Sequence, residues 1–385
     1  MADARKRRAR AVTTQDVAQA ASVSRVTVSR VLNNHGNVTE RVRQRVLQAA
    51  ADVGYLSRPR RPALLPADAG ATGRPGGALR DIGFFFASIL GDEPLGDNPF
   101  WTPVLHGVEQ EASAAGIHVT YRSITPYADR PGALLELVRS ASLDGILLVG
   151  PAPEPVVRIL HRAEVPLVLV DNVAHGVAAD AVLGDCFGGG RAAVRHLVDL
   201  GHRHVAFLGG PFVESCPPAG HRTNTIWSVE QRALGYQSAL REAGIEPDPR
   251  LYEGCNLTTD GGYAACRRLL ATGRPFSAIF CANDLCAIGV IRALHEAGLS
   301  VPSDVSVVGF DDIEVARHLI PPLTTVHVDK EAIGAWAIQR LVARAASPTA
   351  ISSTTCLHVE LVERGTASAP LRPSPPAGEG QGGGE

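Results

Sequence analysis

The stretch that decides the fold runs from Val12 to Tyr55, VTTQDVAQAASVSRVTVSRVLNNHGNVTERVRQRVLQAAADVGY. Its spacing predicts three short helices with a tight turn between the first two. Thr13 is placed to cap the first helix, and Asp16 closes a capping box three residues on. Val17, Ala18 and Ala21 give that helix a small apolar face. After a turn at Ser22-Val23-Ser24, Ser24 is placed to cap the second helix. There Val28, Val31 and Leu32 recur at i, i+3 and i+4 and point inward, which leaves Arg25, Val26, Ser29, Arg30 and Asn33 on the opposite face. Thr39 caps a third helix whose inward stripe is Val42, Val46, Ala50 and Val53, and Gly54 stands where a helix stops. This is the pattern of a helix-turn-helix, whose second helix enters a DNA major groove.

A three-helix bundle could equally serve to bind a protein, so charge has to arbitrate. Residues 1–65 hold 13 Lys or Arg against 4 Asp or Glu, a net of +9, and the remaining 320 carry −11. A basic head on an acidic body points the head at phosphate and the body elsewhere.

The 385 residues are too many for one core and suit a small head with a larger two-part module. No uninterrupted apolar run approaches the roughly 18–20 residues of a membrane span. The N-terminus, MADARKRRARAV, is basic without the apolar segment of a secretory signal, so a cytoplasmic protein is expected. The seven cysteines are scattered, form no C-x-x-C pair and lie mostly in apolar surroundings, the mark of buried reduced thiols.

VTVSRVLN followed by NVTERVRQRVLQAAADVGY resembles the DNA-binding head of the lactose-repressor (LacI/GalR) family. The resemblance implies that Arg25 and Val26 open the recognition helix and that Arg30 is its third base-contacting position. Arg can bond guanine O6 and N7 together, while Val offers an apolar contact such as a thymine methyl. Thr13, Ser24, Ser29 and Asn33 are then phosphate or capping groups that position the helix. Ser22 departs from the family, which usually has Gly in this turn, and a positive φ there would cost Ser modestly.

After Tyr55, LSRPRRPALLPADAGATGRPGGALR reads as a linker by composition. The family uses this region as a hinge helix that wedges a Leu into the minor groove, and Leu64 falls on that position. The surroundings depart from the pattern: Ser57-Arg58 and Arg61-Pro62 replace the family's pairs, and Pro62 and Pro66 disfavour helix. Either the hinge is shorter, or Arg58, Arg60 and Arg61 track the groove as an extended arm. Ahead of the head, the basic run from Arg5 to Arg10 is either a solvated tail or extra salt-sensitive phosphate contact.

From about Ile82 the pattern changes to alternating apolar runs and helical segments. Expected strands are Ile82–Ala87, Ile117–Arg122, Gly145–Val149, Leu167–Val170, Val205–Leu208, Ala278–Cys281 and Val305–Gly309. Continuous apolar strands alternating with helices predict parallel sheets covered on both faces, split into two doubly wound subdomains. Ligands in such folds bind at the carboxyl ends of the strands. Stretches such as DGILLVGP at Asp144, VPLVLVDN at Val165, LGHRHVAFLGGP at Leu200 and VPSDVSVVGFDD at Val301 resemble the family's effector-sensing domain, which has the type I periplasmic binding-protein fold.

Polar residues stand where apolar strands end: Asp171 after VPLVLV, Asn283-Asp284 after AIFCA, Asp311-Asp312 after VSVVGF. The resemblance implies that Asp171, Arg232, Asn283 and Asp311 hydrogen-bond an effector and that Phe100 and Trp101 form an aromatic wall. The chemistry is that of sugar capture, with carboxylates and amides for vicinal hydroxyls, a guanidinium fork and an apolar face for ring C–H groups. Each carboxylate could instead cap the following helix, the reading favoured for Asp284, and Phe100 and Trp101 could be core. Asn172 and Asn256 stand where relatives often carry aromatics, which favours a polyol or sugar over a purine. The segment 211–230 is longer than the family's by roughly ten residues, as a lid or a tolerated surface loop.

Other chemistry gathers no support. Gly188-Gly189-Gly190-Arg191 ahead of a helix lacks the context of a nucleotide loop. His202-Arg203-His204 matches a structural stretch rather than a zinc site, and no G-x-S-x-G elbow supports a hydrolase. The expected organisation is a basic disordered arm (1–11), an all-α helix-turn-helix head (12–57), a hinge (58–80), an α/β sensor and dimerisation domain (81–364) and a disordered tail (365–385). The tail shows no leucine heptad, so the expectation is a homodimer reading near-palindromic double-stranded operator DNA. Neither an enzyme activity nor a cofactor nor a metal is expected.

Overall fold

The computed structural model describes residues 14–24, 27–28, 31, 39–52, 79–88, 95–127, 130–174, 176–210 and 226–371. The chain divides into two compact units, Met1–Gly73 and Arg74–Glu385.

In the first unit, helices α1 (Thr14–Ala20) and α2 (Glu40–Asp52) flank residues 27, 28 and 31, which are helical. Ser24 caps as the sequence predicts: its Oγ accepts the Thr27 amide at 3.1 Å. The Thr39 carbonyl accepts the Val42 and Arg43 amides in the first turn of α2. Ser22 takes φ 52°, the left-handed turn conformation that Gly would adopt without strain. Val17, Ala18, Ala21, Val28, Val31, Val46 and Ala49 form the core, with Val42 half-buried against it. Among the described residues this core is made of valines and alanines, each buried Val contributing about 1.5–3 kcal/mol. Of the expected DNA-contacting residues, Thr13, Arg25, Val26, Ser29, Arg30, Asn33 and Leu64 lie outside the described residues.

The second unit has twelve described strands: β1 (Asp81–Phe86), β2 (His118–Ser123), β3 (Gly145–Val149), β4 (Leu167–Val170), β5 (Asp180–Gly184), β6 (Val205–Leu208), β7 (Tyr252–Glu253), β8 (Ala278–Cys281), β9 (Ser306–Val308), β10 (Thr325–His327), β11 (Thr354–Leu357) and β12 (Glu360–Val362). Its α-helices are α3 (Trp101–Ala114), α4 (Pro131–Ala141), α5 (Glu154–His161), α6 (Cys186–Asp199), α7 (Trp227–Glu242), α8 (Thr259–Ala271), α9 (Asp284–Glu296) and α10 (Lys330–Ala346). One parallel sheet runs β11-β5-β4-β3-β1-β2 and a second β7-β6-β8-β9. The two parallel sheets expected from the sequence are therefore present. The antiparallel pair β10–β12 was not expected from it.

Three connections lead between the sheets: β5 to α6, β10 to α10, and β11 to β12. They are tied together where they meet, since the Asp185 amide donates to the Leu357 carbonyl at 2.9 Å. Helices on either side pack in pairs through small residues. A Cβ on Gly107 or Gly334 would collide with the backbone of the facing helix at the α3–α10 contact, and Gly190 and Gly235 play the same part between α6 and α7. Gly188-Gly189-Gly190 is thus the opening of α6, inside the helix rather than ahead of it, capped by the Asp185 carboxylate on the Gly188 amide at 2.8 Å.

The sequence missed β5, β7, α5 and β10 to β12, all of them short. The tail also begins later than expected. Residues 365–371 pack onto the second sheet: Thr366 is fully buried, its Oγ1 accepting the Thr324 amide at 2.8 Å and donating to the Val307 carbonyl at 2.7 Å. Composition alone read this segment as disordered, because backbone and hydroxyl pairing leaves no periodic apolar trace.

Candidate ligand-binding cleft

β4 is followed by Asp171, at φ 52°, whose amide donates to the Val182 carbonyl at 3.0 Å and so fixes the turn. The carboxyl is buried. Burial pushes its pKa up to about 6; the Arg232 charge opposes the rise, the Asp311 charge adds to it and a Ser228 hydrogen bond lowers it. Ser228 was missed from sequence, yet it lies one turn before Arg232 on α7 and shares its face.

Arg232 is itself buried. Its Nη1 donates to the Ala282 carbonyl at 2.5 Å, and its guanidinium carbon lies 3.8 Å from the Phe310 ring centroid. Nη2 lies 3.2 Å from Asp311 Oδ1 in an ion pair that lacks hydrogen-bond alignment. Arg232 Nε and Asp311 Oδ1 are both buried without a hydrogen-bond partner, a costly state unless something else supplies one. Gly190 helps to seat this arginine, because a Cβ there would meet the Arg232 backbone.

Asp311 and Asp312 follow β9 with φ of 105° and 51°, conformations that cost an L-residue free energy and persist only under constraint. The constraint is Lys330, the first residue of α10, whose ammonium donates to the carbonyls of Asp311 at 2.5 Å, Asp312 at 3.2 Å and Val328 at 3.0 Å. Burial raises the Asp311 pKa, while Arg232 and Lys330 pull it back. Asp312 points elsewhere, accepting from Arg364 Nη2 at 2.6 Å and His327 Nδ1 at 3.0 Å.

Phe100 and Trp101 pack edge to face with centroids 4.7 Å apart, and Asn98 Oδ1 accepts both their amides at the start of α3. The two readings of this pair merge, for both rings belong to the core and both line the cleft. Asn283 lines it too, but its amide is engaged in the protein: Oδ1 caps α9 on the Cys286 amide and Nδ2 donates to the Leu257 carbonyl, each at 2.9 Å. The capping role favoured for Asp284 is therefore Asn283's. Asp284 is fully buried, accepts from the Ile313 amide and from Thr325 Oγ1, and has its pKa pushed up to about 8, chiefly by burial. Asn172 turns away to the Ala152 carbonyl, whereas Asn256 lines the cleft.

The structure thus brings Phe100, Trp101, Asp171, Arg232, Asn283 and Asp311 to one open cleft at the strand ends. Elsewhere the residues are structural. His202 is locked between Ser277, Ser306 and the Ser368 carbonyl. Cys255, Cys266, Cys281 and Cys286 are buried and free, and burial pushes the Cys266 thiol up to about 12. Cys186, also buried and free, instead lies against Arg232, and burial pushes its thiol up to about 12 while the Arg232 charge opposes the rise. Among the described residues no His, Cys, Asp and Glu gather in a set fit for a metal ion, and no helix is long and apolar enough to cross a membrane.

Comparison with known proteins accounts for this architecture. Residues 13–57 match the family of bacterial regulatory proteins, lacI family, and residues 194–367 match a periplasmic binding protein-like domain. The ribose operon repressor of Escherichia coli (strain K12) is 31% identical over 361 residues, 92% of this chain and 99% of that protein. Among solved structures, the transcriptional regulator CelR–cellobiose complex matches with a TM-score of 0.66 at 29% identity, over 93% of this chain and 100% of that one. The lac repressor dimer bound to operator and the anti-inducer ONPF matches with a TM-score of 0.64 at 26% identity, over 94% and 100%. A helix-turn-helix head, two parallel-sheet subdomains and full-length relatives of this kind lead to one conclusion: the chain belongs to the LacI family of bacterial regulatory proteins, DNA-binding regulators of transcription.

Proposed function

We propose that the chain is a cytoplasmic repressor that binds a near-palindromic operator as a homodimer and releases or tightens its grip when a small sugar or polyol enters the cleft. The observation that carries the ligand reading is the convergence of Asp171, Arg232 and Asp311, buried together, with a donor and an acceptor left unpaired between them. Phe100 and Trp101 supply the apolar wall, and Asn283 holds the cleft's shape rather than the ligand. The sugar-bound CelR relative supports the choice of ligand class.

In the head, Arg25, Val26 and Arg30 read bases, and Thr13, Ser24, Ser29 and Asn33 set phosphates and the helix start, with Leu64 as the minor-groove wedge. A ligand that favours one closure of the two subdomains shifts operator affinity by its differential affinity for the two states. The test is a thermal-shift screen of sugars on the full-length protein, followed by a gel shift on operator DNA with each hit. A ligand that raises the melting temperature and changes operator affinity is expected; a hit whose binding survives both Arg232→Gln and Asp311→Asn would overturn the assignment of the cleft.

A further inference from the structure

The charged side chains of the cleft do not balance. Among the described lining residues they are Asp171, Arg232 and Asp311, two carboxylates against one guanidinium, each more than nine-tenths buried. Taking this cleft as the effector site, we propose that it holds an uncharged polyhydroxy ligand and rejects the phosphate esters and acids of the same sugars.

The unpaired atoms specify the group that fits. Arg232 Nε offers a donor and Asp311 Oδ1 an acceptor. A hydroxyl answers both, since it accepts through a lone pair and donates through its proton. A phosphate or carboxylate oxygen only accepts, so it would engage Nε and face Asp311 and Asp171 with like charge. An ammonium only donates and would leave Nε unpaired beside a second cation.

Nor is the guanidinium free to clamp an anion. Bidentate recognition needs two parallel N–H groups directed at the ligand. Here Nη1 is spent on the Ala282 carbonyl, Nη2 faces Asp311, and the guanidinium plane lies over Phe310. The other described cation nearby, Lys330, is turned onto three backbone carbonyls. The remaining described walls are largely apolar, with Phe100, Trp101, Ile226, Val229, Leu285 and Ile313 suited to ring C–H faces and to no anion. Low polarity around the site strengthens each unfavourable charge contact.

The test is calorimetric titration of the full-length protein with matched pairs: ribose and ribose 5-phosphate, glucose and glucose 6-phosphate, galactose and galacturonate. At least one neutral member is expected to bind, with its anionic partner weaker by at least about 100-fold. In Asp171→Asn, which removes one negative charge at nearly constant volume, that ratio is expected to narrow by about tenfold or more. An anionic member bound within about tenfold of its neutral partner overturns the inference and leaves the cleft in place as the effector site. A ratio unchanged in Asp171→Asn shows that size sets it and overturns the charge account. Binding by no member of any pair removes the sugar reading and the inference together.

Discussion

Asp311 Oδ1 lies 3.2 Å from Arg232 Nη2, and both residues are only 5% exposed. Asp311 reaches that position from a backbone at φ 105°, and Arg232 from a helix brought close by glycine contacts. Arg232→Met leaves Asp171 and Asp311 buried without the guanidinium between them and should cost about 3–5 kcal/mol of stability. Asp311→Asn keeps one carboxylate for the arginine and should cost less. Urea unfolding of the two variants checks the order, and the reverse order would show that Asp311 is the more strongly held partner.

Asp171 makes a prediction about pH. Its carboxyl titrates at about 6 in the folded chain against 3.8 as the ordinary value. A raised carboxyl holds its proton more tightly when folded, so its stabilising contribution is complete below the unfolded value and is lost as pH rises through about 6. The rise corresponds to about 3 kcal/mol. Asp171→Asn has no such proton to lose, so its stability relative to the parent should improve by up to that amount between pH 4 and pH 7. Denaturant melts at the two pH values measure the change, and a difference flat in pH would contradict the burial of a charge at this position.

The C-terminal segment separates two truncations. Ending the chain after Arg364 removes Thr366 and Ser368, which leaves the buried Thr324 amide and Ser306 hydroxyl short of partners. A loss on the order of 2–4 kcal/mol is expected from two such groups. Ending after Leu371 should leave the melting temperature unchanged. Calorimetry on both proteins decides whether this segment is part of the domain.

For the head, Arg30→Ala should weaken binding to its operator by about 1–3 kcal/mol while ligand binding to the body stays intact. Gel shifts and calorimetry on the same preparation separate this outcome from simple unfolding, in which both would fail.

Much of the architecture was legible because its signals are local. Four strands, β3, β4, β6 and β8, run between the residues that their apolar runs predict, since a fully buried parallel strand is a continuous apolar string. Ser24 caps as its side chain suggests. What stayed hidden depends on neighbours distant in sequence. β11 and β12 are short and half-exposed, and they exist because β5 and β10 offer edges. Asn283 takes the capping role expected of Asp284, because Asp284 is drawn inward to Ile313 and Thr325, 29 and 41 residues away. The cleft residues came from a family pattern; the partners that shape their charge, Ser228 and Lys330, carried no motif.

Lys330 has one more consequence. The chain contains 35 arginines and only two lysines, Lys6 and Lys330. The body therefore holds a single side-chain amine, and its lone pair is exposed to an electrophile only after a proton has left an ammonium fastened to three carbonyls. An amine-reactive label therefore reads one side-chain site in the body. Slow acylation of Lys330 would mark these three hydrogen bonds as intact, and a rate altered by ligand would report their loosening without any operator in the tube.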